Sequence, residues 1–329
     1  MEYRFIGHTG VRVSQICLGT MSFGGQADEA MSRKIFEASR EAGVNFFDTA
    51  NVYNGGRSEE ILGELIQSCR DEVVLATKAY FPTGSGPNAR GSSRYHLVRA
   101  VEDSLRRLKT DRIDLLYLHR FDDFTCLSET LRALDDLVRS GKVLYLGASN
   151  FAAWQVMKAL GISRHRGWAP FVAIQPMFNL VKRQAEVELF PMARAEGLGI
   201  FPYSPLGAGL LTGKYGVDKR PESGRLVDSD QYAYRYGGDA IFEVADAFTQ
   251  VAADVGVHPV SLAIAWVGSM ATAPIIGARN VDQLGPALGS VDVKMDTELR
   301  ERISGLSAAP PPATDRNEEG TQFAYGERV

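Results

Sequence analysis

Four side chains have complementary chemistry: Asp48, Tyr53, Lys78 and His119. An unperturbed phenol has a pKa of about 10 and gives up its proton reluctantly at neutral pH. An ammonium beside it favours the phenolate and lowers that value. A carboxylate next to the ammonium keeps the lysine charged and oriented, and a neutral imidazole can place a substrate oxygen by hydrogen bonding. The set suits proton donation to a carbonyl oxygen while another group attacks the carbonyl carbon. Each residue also has an ordinary structural use: Asp48 precedes Thr-Ala and can cap a turn, Tyr53 can pack in its loop, and His119 can be a satisfied group at a strand end. Lys78 follows apolar and small residues, where an unpaired ammonium is costly, and Asp48 is its natural partner.

The chain has no visible attacker of its own. Gly147-Ala148-Ser149-Asn150-Phe151 ends in Phe, so it is not a nucleophile elbow. No H-E-x-x-H occurs, and His8, His96, His119, His165 and His258 are scattered, so no metal site is expected. A redox cofactor that donates hydride fills the gap. A second group of residues suits a bound nucleotide. Ser149, Asn150 and Gln175 can hydrogen-bond a carboxamide, and Tyr203 can stack on a flat ring. Ser204-Pro205-Leu206-Gly207-Ala208-Gly209 allows close backbone approach to phosphates. It is not a P-loop, because Ala208 stands at the first glycine position and Tyr215 follows Lys214. Gly277-Ala278-Arg279 leads into a helix, where Arg279 suits a phosphate or is simply a solvated surface arginine.

The elements that must position these residues are short β-branched apolar runs. Eight occur: Ser14–Gly19, Val44–Asp48, Val73–Lys78, Ile113–His119, Val143–Ser149, Phe171–Gln175, Leu198–Ser204 and Thr272–Gly277. Near-continuous apolar strands belong to a parallel sheet buried on both faces. Helical patterns lie between them. Met31, Ile35, Ala38 and Ala42 recur at helical spacing before a stop at Gly43. Ser58 is expected to cap a helix with Glu59 and Glu60 in its first turn and Ile61, Leu62, Leu65 and Ile66 as its buried stripe. Amphipathic stretches follow at 94–108, 127–139, 152–160, 182–196 and 239–255. The pattern predicts an α/β chain, a closed (β/α)8 TIM barrel occupying residues 1–329 as one domain. An open doubly wound sheet is the alternative, but the first turn, Gly19 to Gly25, lacks G-x-G-x-x-G. Tyr3–Ile6 and Val11–Val13 flank His8-Thr9-Gly10 and predict an N-terminal β-hairpin that closes the barrel bottom. A long polar loop of about residues 215–238 separates the seventh and eighth strands, a length typical of lids and binding loops. A tail of about 308–329 either lies across the barrel mouth or is disordered.

Composition narrows the partners. Lys and Arg number 36 against 40 Asp and Glu, a net charge of −4 that argues against a nucleic-acid binder. No apolar run is long enough for a membrane span. No signal-peptide pattern follows Met1. Cys17, Cys69 and Cys126 are odd in number and widely spaced, so reduced thiols and a cytoplasmic location are expected.

The run Asp48-Thr-Ala-Asn-Val-Tyr53-Asn-Gly-Gly-Arg-Ser-Glu-Glu60, the Lys78 and Leu118-His119 strand ends, Gly147-Ala-Ser-Asn150, Gln175-Pro-Met-Phe-Asn179 and Tyr203-Ser-Pro-Leu-Gly-Ala-Gly-Leu-Leu-Thr-Gly-Lys-Tyr215 resemble the aldo-keto reductase superfamily. The Ser-Pro-Leu and Gly-Ala-Arg blocks are most similar to its bacterial and plant branch, related to potassium-channel β subunits. The resemblance spans residues of about 1–305. It implies an NADPH-dependent reductase of an aldehyde, sugar or ketone, with Tyr53 as general acid in a tetrad with Asp48, Lys78 and His119. It further implies that Gly19, Thr20, Met21 and Asp48 line the cofactor, that Ser149, Asn150 and Gln175 hold the carboxamide and that Tyr203 stacks on the nicotinamide. Ser204, Pro205, Leu206, Gly207 and Lys214 would hold the pyrophosphate, and Arg225 would clamp the cofactor from the long loop. Arg279 and Gln283 would meet the adenosine 2′-phosphate, and Gly277 would also contact the cofactor. The related branch reads Glu-Glu-Asn after Gln-Leu, whereas Gly285, Pro286 and Ala287 stand here, so the carboxylate for the ribose and the amide for the adenine are missing. NADPH is the expected cofactor because Arg279 offers a fork to a phosphate, and NADH is the alternative. Phe23, Tyr80, Phe81, Arg120, Phe121 and Tyr232–Tyr236 are expected around the substrate, with Arg120 suggesting an anionic or hydroxyl-rich one. The competing readings are a β-subunit-like redox sensor with slow turnover, and the same site run as an alcohol or sugar dehydrogenase.

Overall fold

In a strand, alternate residues face opposite sides, and the short runs here obey that rule. Phe46, Ala76, Leu115, Tyr117 and Ala173 belong to one buried cluster, and the residues next to them, Phe47, Leu75, Leu116 and Ile174, belong to another. The first cluster fills the inside of a closed sheet, and the second joins the sheet to its surrounding helices. Each such fully buried Phe or Leu contributes about 1.5–3 kcal/mol by leaving water.

A computed structural model describes residues 1–320. Its sheet has eight strands, β3 (Cys17–Gly19), β4 (Phe46–Asp48), β5 (Val74–Ala79), β6 (Ile113–Leu118), β7 (Val143–Ser149), β8 (Phe171–Gln175), β9 (Gly199–Ile200) and β10 (Ile275–Ile276). All neighbours are parallel, and β10 pairs with β3. The circle closes where Thr272 N donates to Ile200 O at 2.8 Å and Ile275 N to Pro202 O at 2.8 Å. This is the expected (β/α)8 barrel. A hairpin of β1 (Tyr3–Phe5) and β2 (Arg12–Ser14) precedes it, also as expected. Ile6 and Val13 join the interior cluster, so the hairpin seals one end of the barrel. Arg4 Nη1 ties it down by donating to Gly268 O at 2.9 Å and Ala271 O at 3.0 Å. Gly147 has a packing reason: a Cβ there would lie 2.4 Å from the Tyr117 ring, which occupies the barrel centre.

The helices are α1 (Glu29–Glu41), α2 (Arg57–Leu65), α3 (Arg94–Leu108), α4 (Leu127–Arg139), α5 (Ala153–Arg166), α6 (Leu189–Ala195), α7 (Arg225–Asp228), α8 (Asp230–Arg235), α9 (Ala240–Asp254), α10 (Pro259–Gly268), α11 (Val281–Leu288) and α12 (Thr297–Ser304). Several expectations need correcting. The stretch 152–160 continues to Arg166, where Gly167 ends it in the left-handed region at φ 65°. The stretch 182–196 breaks into a 3-10 turn, Gln184–Glu186, and α6. Ser58 is not a cap. Gly56, at φ 95°, precedes the first helical residue, and Ser58 lies inside α2. Its hydroxyl donates to Thr20 O at 2.7 Å and lies 2.9 Å from the hydroxyls of Thr20 and Thr49. Glu59 is fully buried, bound by Arg107 Nε at 2.7 Å and by the Thr77 hydroxyl at 2.5 Å. Tertiary partners, not the helix dipole, explain that carboxylate.

The expected long loop carries two short helices, α7 and α8, between β9 and α9. Among the described residues no single helix is long and apolar enough to cross a membrane. Of the tail, Asn317–Gly320 forms a 3-10 turn, and the expectation for 321–329 lies outside the described residues.

Candidate active site

Strand alternation brings the chemistry to the open end of the barrel. Asp48 is the last residue of β4 and Lys78 the fifth of β5; His119 follows β6 directly, and Gln175 ends β8. Tyr53 begins a 3-10 turn after β4. The Lys78 ammonium donates to Asp48 Oδ1, to Thr49 O at 2.7 Å and to Tyr53 Oη at 3.4 Å. The other Asp48 oxygen accepts from Gln175 Nε2 at 2.9 Å. Lys78 and Asp48 are 1% and 2% exposed, so this ion pair is stable only because both ends are fully bonded. The His119 ring meets the Tyr53 ring edge-on at 5.9 Å and packs against Phe81 at 4.8 Å. Asn150 Nδ2 fixes the backbone beneath it, donating to His119 O at 2.8 Å. The buried His119 Nδ1 has no partner among the described residues.

Burial decides the protonation states. It raises the Tyr53 phenol above its ordinary range, and the Lys78 ammonium counters this only in part. The expectation of a lowered phenol pKa is therefore corrected: loss of water outweighs the neighbouring charge. The phenol keeps its proton at neutral pH, as an acid must. Burial disfavours the Lys78 ammonium, but Asp48 and Tyr53 outweigh it and its pKa rises. Burial and then the Lys78 charge hold His119 well below its ordinary value, so the imidazole is neutral.

A cleft of about 1200 Å³ opens from this group. Tyr53, Asp48 and His119 line its inner end with Ser149, Asn150, Gln175 and Tyr203. Asn150 sits in the left-handed region at φ 56°, with its Oδ1 accepting from the Tyr203 hydroxyl at 2.7 Å. Ser149 Oγ donates to Gln175 O at 2.9 Å. Beyond them runs a loop with Ser204 at φ 59°, Gly207 at 57°, Ala208 at 59° and Gly209 at 98°. Asn179 Nδ2 holds its start by donating to Ser204 O at 2.9 Å. Ser204, Pro205, Leu206, Lys214, Arg225, Gly277, Arg279 and Gln283 line the outer part, and Gly19 and Met21 line the cleft from β3. The Asn280 side chain caps α11 through Gln283 N at 2.9 Å, and Gln283 Oε1 accepts from Arg279 N at 3.1 Å. Pro286 and Ala287 also line the cleft, so the positions that depart from the related branch do face it.

Some expected residues are elsewhere. Thr20 and Gly207 do not line the cleft; Thr20 is fully buried and bonded to Ser58, and Lys78 lies beneath the surface. On the substrate side Phe81, Arg120, Phe121 and Tyr232 line the cleft, whereas Phe23, Tyr80 and Tyr236 are buried away from it. Tyr234 is 94% exposed. Sequence reasoning missed Gln155 and Asp123, which also line it; Arg235 lines it too, inside the expected Tyr232–Tyr236 stretch whose tyrosines alone were weighed. Arg235 was legible only through its three-residue spacing from Tyr232 on one helix. Among the described residues no three His, Cys, Asp or Glu side chains cluster as a metal site would require.

The sequence model described as the aldo/keto reductase family matches residues 15–308. The chain belongs to the aldo/keto reductase family. This aldo/keto reductase is 37% identical over 327 residues to the uncharacterized oxidoreductase YrpG of Bacillus subtilis (strain 168), covering 94% of this chain and 97% of that protein. It is 34% identical over 326 residues to a probable voltage-gated potassium channel subunit beta of Oryza sativa subsp. japonica, covering 96% and 99%. It is 36% identical over 310 residues to norsolorinic acid reductase of Aspergillus flavus, covering 89% and 77%. The chain is thus an oxidoreductase of a family that typically uses nicotinamide cofactors. The donor set of this reductase fits such a group. Amides and a phenol lie at the inner end of its cleft, with cations and left-handed backbone at the outer end.

Proposed function

We propose that this oxidoreductase is an NADPH-dependent reductase of an aldehyde or ketone carbonyl, with Tyr53 as the general acid. One observation carries the reading: beneath the cleft floor the Lys78 ammonium reaches both the Asp48 carboxylate and the Tyr53 hydroxyl, and Tyr53 faces the cleft. A nicotinamide cofactor, when bound, would supply a hydride to the carbonyl carbon. Tyr53 gives its proton to the carbonyl oxygen. The phenolate left behind is stabilised by the adjacent Lys78 ammonium, which Asp48 and Thr49 O hold in position. The neutral His119 imidazole hydrogen-bonds the substrate oxygen and orients it. Phe81 packs on His119, and Phe121 and Tyr232 line the same cleft, which favours a flat apolar body behind the carbonyl.

Ser149, Asn150 and Gln175 would hold the carboxamide, and Tyr203 would stack on the nicotinamide. Gly19 and Met21 would flank it. Ser204, Pro205, Leu206, Lys214 and Arg225 would hold the pyrophosphate, and Gly277, Arg279 and Gln283 the adenosine end. Arg279 favours NADPH because its fork suits a 2′-phosphate. The thiols of Cys17, Cys69 and Cys126 are free, which supports a reducing compartment, the cytoplasm. The likeness to the rice channel subunit favours a second reading, a redox sensor that binds the same cofactor and turns over slowly.

The test combines nicotinamide fluorescence titration with NADPH and NADH and absorbance turnover of 4-nitrobenzaldehyde and glyceraldehyde. NADPH binding with turnover that disappears in Tyr53→Phe supports the reductase. Binding with negligible turnover in both proteins supports the sensor. Binding of neither nucleotide sinks both readings.

A further inference from the structure

The 3.6-residue period of α8 puts Tyr232, Arg235 and Tyr236 on one face and Tyr234 away from it. Tyr236, just past the helix, anchors that face: it is 2% exposed, and its hydroxyl accepts from Asn179 Nδ2 at 3.0 Å. Tyr232 and Arg235 then line the same cleft as Tyr53, His119 and Tyr203. The Arg235 guanidinium lies 5.1 Å from the Tyr232 ring centre. It is half-buried, and among the described residues no carboxylate lies within ion-pair distance of it. Its charge acts on the Tyr203 phenol, whereas that of Arg279 acts on Tyr215. The two cations therefore lie near different tyrosines of the cleft.

Arg120, which suggested an anionic or hydroxyl-rich substrate or else a solvated arginine, is already engaged. It pairs with Asp123 at 3.6 Å, donates through Nε to Phe121 O at 3.2 Å and lies 5.4 Å over the Tyr80 ring. A half-buried guanidinium without a counter-charge, against the Tyr232 ring and near the Tyr203 phenol in the cleft that Tyr53 also lines, suits a carboxylate on a flat molecule.

We propose that Arg235 selects the substrate by binding a carboxylate, so that the preferred carbonyl compound is an aromatic aldehyde bearing that anion. The inference rests on the reductase reading for its carbonyl, but not for its carboxylate. An anionic oxygen could also come from the cofactor pyrophosphate, and the test separates the two.

Binding of 4-formylbenzoate and of its neutral methyl ester is measured by calorimetry on the wild type, Arg235→Gln, Arg235→Lys and Arg120→Gln. NADPH titrations and steady-state kinetics accompany it. The wild type is expected to bind the carboxylate about tenfold more tightly than the ester, the scale of one charge-assisted hydrogen bond. Arg235→Gln brings that ratio to about one through KM rather than kcat, Arg235→Lys restores part of it, and Arg120→Gln keeps it. Added salt weakens carboxylate binding and spares the ester. A wild-type ratio near one, or a ratio that survives in Arg235→Gln, overturns the proposal. So does a loss of NADPH affinity in Arg235→Gln that affects both aldehydes alike, because the arginine would then hold the cofactor. Carboxylate-selective binding without any NADPH-dependent reduction supports the role of Arg235 and refutes the reductase reading. Reduction of both aldehydes without preference does the reverse.

Discussion

At the Tyr53 end of the cleft the ion pair and the amides are held by other groups: Lys78 by Asp48 and Thr49 O, Asp48 by Gln175, Ser149 by Gln175 O, and Asn150 by His119 O and Tyr203; His119 Nδ1 and the Arg235 guanidinium are left for a ligand. At the other end the cations stand apart. Among the described residues the side chains of Lys214 and Arg279 have no ion pair or hydrogen bond, and Arg225 has only the face of Tyr232 at 5.6 Å. The first region sits on strand ends and is organised before any ligand arrives, which is what stabilising a developing charge requires. The second sits on loops and a helix start, where the ligand itself must order the side chains and that ordering reduces affinity. The comparison predicts that breaking the ion pair at the inner end damages the fold, that removing the acid there damages the chemistry, and that changes at the outer end alter binding alone.

The largest effect is expected from Asp48→Ala. It leaves the Lys78 ammonium buried and unpaired, which costs about 3–5 kcal/mol. Urea denaturation measures this directly. Arg279→Ala, on the surface, is expected to change stability by less than about 0.5 kcal/mol. Equal losses in the two variants would break the comparison.

Tyr53→Phe comes next. Removing the acid is expected to lower kcat/KM by about 10²–10⁴-fold, while NADPH affinity and the urea midpoint hold. A parallel loss of NADPH binding would mean that Tyr53 serves the cofactor rather than the proton. Smaller still is Arg279→Gln. It is expected to weaken NADPH about tenfold and leave NADH and kcat near the wild-type values, because only NADPH carries the 2′-phosphate. Equal weakening of both nucleotides would remove Arg279 from the 2′-phosphate site.

The same contrast explains what could be read from the sequence. The strands and the meeting of Asp48, Lys78 and His119 were legible because period-two alternation and strand ends fix direction and height together. Loop residues have no such rule. Phe23 and Tyr80 were expected at the substrate and are buried away from it, because the return path of a loop depends on what it packs against. Tyr232, Tyr234 and Tyr236 became distinguishable only once α8 was known to be helical. Ser58 was misread as a cap because a serine near a helix start is ambiguous until Gly56 takes the left-handed turn ahead of it. The direction of the Tyr53 shift needed burial as well as the neighbouring charge, and burial is a property of the whole fold.

The smallest expected effect is a rate that does not change with pH, and it sharpens the comparison most cleanly. Carbonyl reduction needs Tyr53 protonated and His119 neutral. Burial lifts the phenol above its ordinary value of 10.0, so the acid form persists through that pH. Burial also holds His119 well below 6.5, so no proton is gained as the pH falls through that value. Reductive kcat should therefore be flat between about pH 6 and 9 at saturating substrate, since it reports groups in the bound complex. A break near 6.5 would mean that His119 titrates as a solvated imidazole. Stability has the opposite edge. The Tyr203 phenol is pushed up to about 12 by burial from an ordinary 10.0. The folded chain thus holds that proton more tightly than the unfolded chain does, and the stabilisation is complete below pH 10 and lost as the pH rises toward 12. The urea midpoint should fall across that window in the wild type and fall less in Tyr203→Phe, which has no proton to lose. Equal falls in both proteins would assign the alkaline loss to other buried phenols, such as Tyr117 or Tyr236, whose pKa values burial also raises.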